Sequence, residues 1–257
     1  MAGLAHRLAE SIDGTPLSHE PFDHLQLQEF FPEDVFAGMV EHLPDPRFFI
    51  DMTNSGGQQY NGKAARSRVI LQPGIIAGLP RAQRAFWLDV AAALASPSVE
   101  TSLKRKFADV LSARFDCPPT EVRVYPFLML VRDLAGYEIS VHHDSWSKVI
   151  NAQFYLPADD ERAYLGTQFF ERDESKNDTL IKTIPFVRNS GYAFPVSDKS
   201  WHGVTRLSRD ELPRHSLMLI YYVTPHLAKR VFLAWKDFNQ VVRARSVAMV
   251  RGFQKTE

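Results

Sequence analysis

The chain has 257 residues, 45% of them hydrophobic and 23% charged, with 30 basic and 30 acidic side chains, nine histidines and one cysteine. That balance argues against a broad nucleic-acid or anionic-membrane surface, either of which needs an excess of Lys and Arg. Lone Cys117 excludes an internal disulfide, no apolar run approaches the ~20 residues of a membrane span, and early charges spoil the N-terminus as a signal peptide, so a cytoplasmic globular protein is expected.

In chain order, the first dozen residues read as a loose segment. Phe22 to Leu27 alternates as a strand does. Phe31-Pro32-Glu33-Asp34 then opens a helix expected to reach about Leu43, because proline at the first turn needs no partner and carboxylates suit the helix dipole. Residues 50–62, with Asn54, Gly56, Gly57, Asn61 and Gly62, read as a mobile loop. Helices follow at about 82–95 and 98–114, where Phe86, Val90 and Leu94, then Leu103, Phe107, Val110 and Leu111, recur at helical spacing.

The character changes near Glu121. Short Val-, Ile-, Phe- and Tyr-rich runs, broken by Gly, Asp, Asn and Pro, predict strands at 122–132, 137–143, 148–156, 165–171, 180–187, 191–196, 201–206 and 214–223. Eight short strands in this space predict a mainly β protein with flanking α: a jelly roll with the N-terminal helices packed on one sheet. Beyond Pro225, Leu227, Val231, Trp235, Phe238 and Val242 form one apolar stripe of a C-terminal helix at about 226–250. That stripe packs on the domain or, as the alternative, on a second copy in a homodimer. From Pro225 onward basic residues exceed acidic ones by five, a solvated helix face by default. With no linker or repeat, the expectation is a single domain over 1–257: a helix-rich part at about 20–120, a barrel core at 121–223 and the final helix.

The chemistry concentrates in Val141-His142-His143-Asp144 and, 58 residues on, Trp201-His202-Gly203-Val204. Residues two apart on a strand share a face, so His142 and Asp144 can converge on one metal while His143 turns away. Adding His202 gives two histidines and a carboxylate, the facial set of non-haem Fe(II) oxygenases. A second pattern lies at 149–156. Asn151, Gln153 and Tyr155 share one face, and such polar residues suit a hydrated, ligand-filled pocket better than a dry core.

The order of motifs resembles the 2-oxoglutarate- and Fe(II)-dependent dioxygenase superfamily, nearest its prolyl-hydroxylase-like branch and bacterial relatives. The likeness rests on Arg132-Asp133-Leu134-Ala135-Gly136-Tyr137 leading into His142-His143-Asp144, then Phe154-Tyr155-Leu156-Pro157 and Leu165-Gly166-Thr167-Gln168-Phe169-Phe170. It continues through Tyr192-Ala193-Phe194-Pro195, Trp201-His202-Gly203-Val204 and Arg214-His215-Ser216-Leu217, and spans about residues 20–223. The resemblance implies a double-stranded β-helix in which His142, Asp144 and His202 hold Fe(II). It implies that Arg214 binds the distal carboxylate of 2-oxoglutarate, helped by Ser216 and Tyr155, with O2 as the other cosubstrate. A guanidinium suits that role because its planar fork pairs with a carboxylate and stays charged when buried. Arg206 and Arg209 are nearer His202 in sequence, but the apolar strand continues from Arg214. Arg132, Asn151, Gln153 and Trp146 are further pocket candidates, and Gly166-Thr167 reads as a turn.

The implied reaction is hydroxylation of a C–H bond in a small-molecule, amino-acid-type or peptide substrate, with release of succinate and CO2. A retained Asp144 implies hydroxylation rather than halogenation. Two rivals stand beside it: a metal-dependent cupin-like hydrolase or isomerase, and a non-catalytic binding module on the same barrel. A protein side chain is the alternative substrate.

Overall fold

The computed structural model describes residues 2–52, 59–60, 62–208 and 213–224. The expected C-terminal helix at 226–250 with its stripe from Leu227, and Arg209, lie outside them.

The first residues are ordered, contrary to expectation. Ala2–Gly14 forms helix α1, which buries Leu4, Leu8 and Ile12 and packs on two later helices. The spacing of four between these residues is itself the helical signal. Two short strands follow, β1 (Leu17–Ser18) and β2 (His24–Leu27), then helix α2 (Glu33–Glu41), with Pro32 as its N-cap and Glu33 and Asp34 in its first turn. The stretch read as a loop contributes β3 (Ile50–Asp51) and β4 (Gln59–Tyr60), paired with strands the sequence reading did not assign, β5 (Lys63–Ala64) and β6 (Arg66–Ile70).

Helices α3 (Pro73–Ile76) and α4 (Arg81–Leu94) come next. The single helix expected at 98–114 is two, α5 (Pro97–Lys106) and α6 (Ala108–Phe115), meeting at Phe107. Phe107 is fully buried, so packing fixes the break. The Ser96 hydroxyl accepts from the Val99 amide at the start of α5, Pro97 fills the first turn, and Lys104, Arg105 and Lys106 complement the dipole in the last.

All eight expected barrel strands are present: β7 (Val124–Asp133), β8 (Ile139–His142), β9 (Lys148–Tyr155), β10 (Thr167–Arg172), β11 (Asp178–Ile184), β12 (Gly191–Pro195), β13 (Trp201–Val204) and β14 (Arg214–Val223). They form two antiparallel sheets. The large one runs β1-β2-β12-β9-β14-β7-β6-β3, and the small one β11-β10-β13-β8. From β7 onward the chain crosses repeatedly between sheets, with β10 and β11 adjacent in the small one, which is the winding of a jelly roll.

Each strand of the large sheet has two fates. Leu128 and Leu130 of β7, Ile150, Ala152 and Phe154 of β9, and Leu217 and Leu219 of β14 join Leu8, Phe36, Trp87, Leu94 and Leu103 of the helices in one apolar core. Burying each such side chain contributes about 1.5–3 kcal/mol. Alternate residues face the small sheet, and polar groups gather there. Gly166 is not mainly a turn residue: a Cβ on it would lie 1.8 Å from the Ile184 carbonyl oxygen, so only glycine lets β10 start this close to β11. None of the described helices is long and apolar enough to cross a membrane.

Candidate metal centre

His142 ends β8 and lies directly opposite His202 of β13, so strand pairing alone brings the imidazoles together, with ring centroids 4.4 Å apart. Asp144 follows two residues after His142, just beyond the strand. One ligating atom from each of His142, Asp144 and His202 falls within 4.8 Å of the others, the only such group of three among the described residues.

Hydrogen bonds set the form of both rings. His142 Nδ1 donates to the Ser140 carbonyl at 2.9 Å, and His202 Nδ1 to the Ser200 carbonyl at 3.0 Å. A carbonyl oxygen only accepts, so each Nδ1 carries the proton and each Nε2 keeps a lone pair for a metal. Burial, opposed by the nearby Asp144 carboxylate, lowers the His202 pKa to about 4 and keeps that ring neutral. Asp144 is 5% exposed. Burial works against its charge, yet the Lys148 ammonium holds its carboxyl below the ordinary value. Lys148 Nζ bonds to one Asp144 oxygen, and Asn151 Nδ2 donates to the other at 2.9 Å. Each carboxylate oxygen has two acceptor directions, so these bonds hold the group in place and still leave room for a metal. The residue set thus fits a divalent cation. His143 turns away and packs edge-on against Trp201, 4.7 Å between centroids.

The strand register extends the site across the inner face of the large sheet. Asn151 pairs opposite Ile220, Gln153 opposite Met218, Tyr155 opposite Ser216, and Arg214 opposite Asp133. Gln153 donates to the Ser216 hydroxyl at 2.8 Å and accepts from the Tyr192 hydroxyl at 2.7 Å. The Tyr155 hydroxyl donates to Thr167 Oγ1 at 2.9 Å and accepts from the Thr167 amide at 3.0 Å. Arg214 is wholly buried. It donates from Nη2 to Thr167 Oγ1 at 3.1 Å and from Nη1 to Asp133 at 3.3 Å.

Two polar atoms on this face are buried without a partner: Asn151 Oδ1, on the side chain that bonds to Asp144, and Arg214 Nε at the far end. Such orphans are costly unless a ligand supplies the missing bond. An acceptor is wanted at Arg214 and a donor at Asn151. An anion with a second polar end fits that demand.

Sequence reading missed three participants. Asp133 is wholly buried between two arginines, and Arg66 of β6 reaches it bidentately at 2.5 and 3.0 Å while lying over the Tyr137 ring at 4.1 Å. Thr167, read as part of a turn, joins Tyr155 to Arg214. The available signal was alternation: Phe127, Met129, Val131 and Asp133 share the inner face of β7, so a charge there had to meet a partner.

The same alternation displaces Arg132. It lies on the opposite face of β7, across from His215 and near Asp51, and is not brought to the cluster. Trp146 is 52% exposed on the loop after Asp144, beneath the Arg114 guanidinium at 4.6 Å. Arg114 pins that loop through the carbonyls of Trp146, Lys148 and Val196. Trp146 therefore borders a groove of about 720 Å³ with Phe22, Arg114 and Lys199, outside the polar face itself. Arg206 pairs with Glu138 at the surface, away from the barrel interior.

No protein-family model and no curated protein matches the chain. Among solved structures, a prolyl-4-hydroxylase from Pseudomonas putida aligns over 84% of this chain and 99% of its own, at 14% identity and a TM-score of 0.50. A prolyl hydroxylase from Trichoplax adhaerens, in complex with a hypoxia inducible factor oxygen degradation domain peptide fragment, aligns over 86% and 90%, at 10% identity and a TM-score of 0.49. At these identities the likeness to the Pseudomonas protein is one of fold.

Proposed function

We propose that the protein is a non-haem Fe(II)- and 2-oxoglutarate-dependent oxygenase that hydroxylates a C–H bond. The observation that carries this reading is a single polar face. It starts at three convergent metal-type ligands and ends at a buried arginine with an unsatisfied Nε. His142, Asp144 and His202 would hold the metal, and Arg214 the distal carboxylate of the cosubstrate. Bound Fe(II) and 2-oxoglutarate would supply the oxidising chemistry, with O2 consumed and succinate and CO2 released.

The chain's own residues do the rest. Ser140 and Ser200 carbonyls aim the two imidazoles. Lys148 and Asn151 fix Asp144. Thr167 and Asp133 hold the Arg214 guanidinium flat, so that its remaining N–H presents to a ligand. Aromatic Phe194, 4.9 Å from the His202 ring, and Tyr192 keep bulk water off one side of the centre. A hydrolase built on the same ligands has no use for a buried guanidinium whose Nε lacks an acceptor. The shared prolyl-4-hydroxylase fold supports the oxygenase reading.

The direct test is to incubate purified protein with 2-oxoglutarate and O2 and measure succinate. Succinate should form only when Fe(II) is added, and His202→Ala should abolish it. Iron-loaded protein that leaves 2-oxoglutarate untouched would refute the reading.

A further inference from the structure

The inner face of β6, β7 and β14 carries more positive charge than Asp133 and one further carboxylate group can neutralise. Arg66, Arg68 and Arg214 face inward, and Asp133 is the one acidic side chain of these three strands. Asp133 balances one guanidinium. In the oxygenase reading, on which this inference rests, the distal carboxylate of 2-oxoglutarate balances a second. Arg68 is left over.

Its surroundings are those of a binding residue rather than a surface cation. Register places Arg68 opposite Val131, which in turn lies opposite Ser216, in the row next to the Arg66–Asp133–Arg214 cluster. Its Nη1 lies 4.0 Å from the Met129 sulfur, and no carboxylate pairs with it among the described residues. Burial works against its charge, and Tyr222 is the one described group that offsets this. Tyr222 lies within electrostatic reach of both Asp144 and Arg68.

The wall around it is apolar. Met129, Val131, Met218 and Ile220 form a small buried cluster of their own, flanked by Phe127 and Tyr222. Tyr222 stacks on Tyr125 at 5.7 Å. Arg68, Phe127 and Tyr222 are only partly buried, so this patch is where the inner face opens towards solvent.

We infer that Arg68 is the substrate-recognition residue of this site, and that the substrate has an apolar body ending in a carboxylate. The guanidinium would pair with the carboxylate while the Met, Ile and aromatic wall covers the body. Arg132, the arginine that the sequence offered as a pocket candidate, faces the other way.

The experiment is calorimetric titration of protein loaded with Mn(II) and 2-oxoglutarate. The probes are hexanoate, octanoate and 3-phenylpropanoate, each beside its primary amide. The carboxylates should bind at least about 30-fold tighter than the amides, as expected for a partly desolvated charge pair. Arg68→Met, similar in length and apolar, should erase that preference, and Arg68→Lys should restore part of it. Equal binding of acids and amides, or a preference that survives Arg68→Met, would overturn the inference.

A parallel 2-oxoglutarate titration separates the two levels. Wild-type protein that binds 2-oxoglutarate but shows no acid preference refutes the substrate assignment alone. Wild-type protein that fails to bind 2-oxoglutarate refutes the oxygenase reading, and the acid and amide titrations of the Mn(II) form still judge Arg68. If Arg68→Met loses 2-oxoglutarate while Arg214→Met keeps it, Arg68 belongs to the cosubstrate and both assignments fall.

Discussion

Asp133→Asn should destabilise the metal-free protein by about 3–5 kcal/mol, the usual cost of stranding a buried charge by removing its partner. Asp133 is wholly buried and is the common acceptor of Arg66 and Arg214. The substitution is nearly isosteric, so it leaves the space filled while it removes the charge and turns one acceptor oxygen into a donor NH2. Two guanidiniums then sit together with no anion between them, and Arg214 has no exposure through which to hydrate. For a chain of this size the thermal midpoint should fall by roughly 10 °C. Mn(II) added together with 2-oxoglutarate should recover part of that loss, because the distal carboxylate then returns an anion to Arg214. A midpoint unchanged from wild type would mean that the buried cluster is not the electrostatic unit described.

Asp144→Ala should weaken Mn(II) binding by more than about 100-fold, beyond the 10- to 100-fold that lost supporting contacts around a metal typically cost. It removes one of the three proposed ligands, and it does more. Lys148 Nζ, now neutralised by Asp144, is left beside the site as a bare ammonium. Asn151 loses the acceptor of its Nδ2 while its Oδ1 already lacks a donor. A double variant, Asp144→Ala with Lys148→Met, should therefore bind the cation better than the single one. Calorimetry with Mn(II) reads both. A single variant that keeps wild-type affinity would remove Asp144 from the metal set.

The barrel was legible because its strands obey simple alternation. Strands β9 and β14 fall within a residue of their expected bounds, and the Asn151-Gln153-Tyr155 face is visible in the sequence alone. His142, Asp144 and His202 were legible too, since a spacing of two at the end of one strand and a pairing strand opposite suffice to bring them together. What stayed hidden depends on partners far along the chain. Asp133 meets Arg66 across 67 positions and Arg214 across 81, and no local pattern announces either contact. Strand β6 was hidden for the same reason. Arg66-Ser67-Arg68 reads as a polar stretch, although register turns both arginines inward. Helix α1 shows a different failure: Leu4, Leu8 and Ile12 carry the signal, but a terminal position favoured reading it as loose.

The central claim is that one ligand bridges the metal ligands and Arg214. The measurement that tests it most directly is 2-oxoglutarate affinity by calorimetry for wild type and Arg214→Met, each with and without Mn(II). The same titrations with 2-oxobutyrate, which lacks the distal carboxylate, complete the set. Wild type should bind 2-oxoglutarate only with metal, and Arg214→Met should lose at least about 30-fold. The two proteins should bind 2-oxobutyrate alike. A 2-oxoglutarate affinity indifferent to the metal or to Arg214 would contradict that claim.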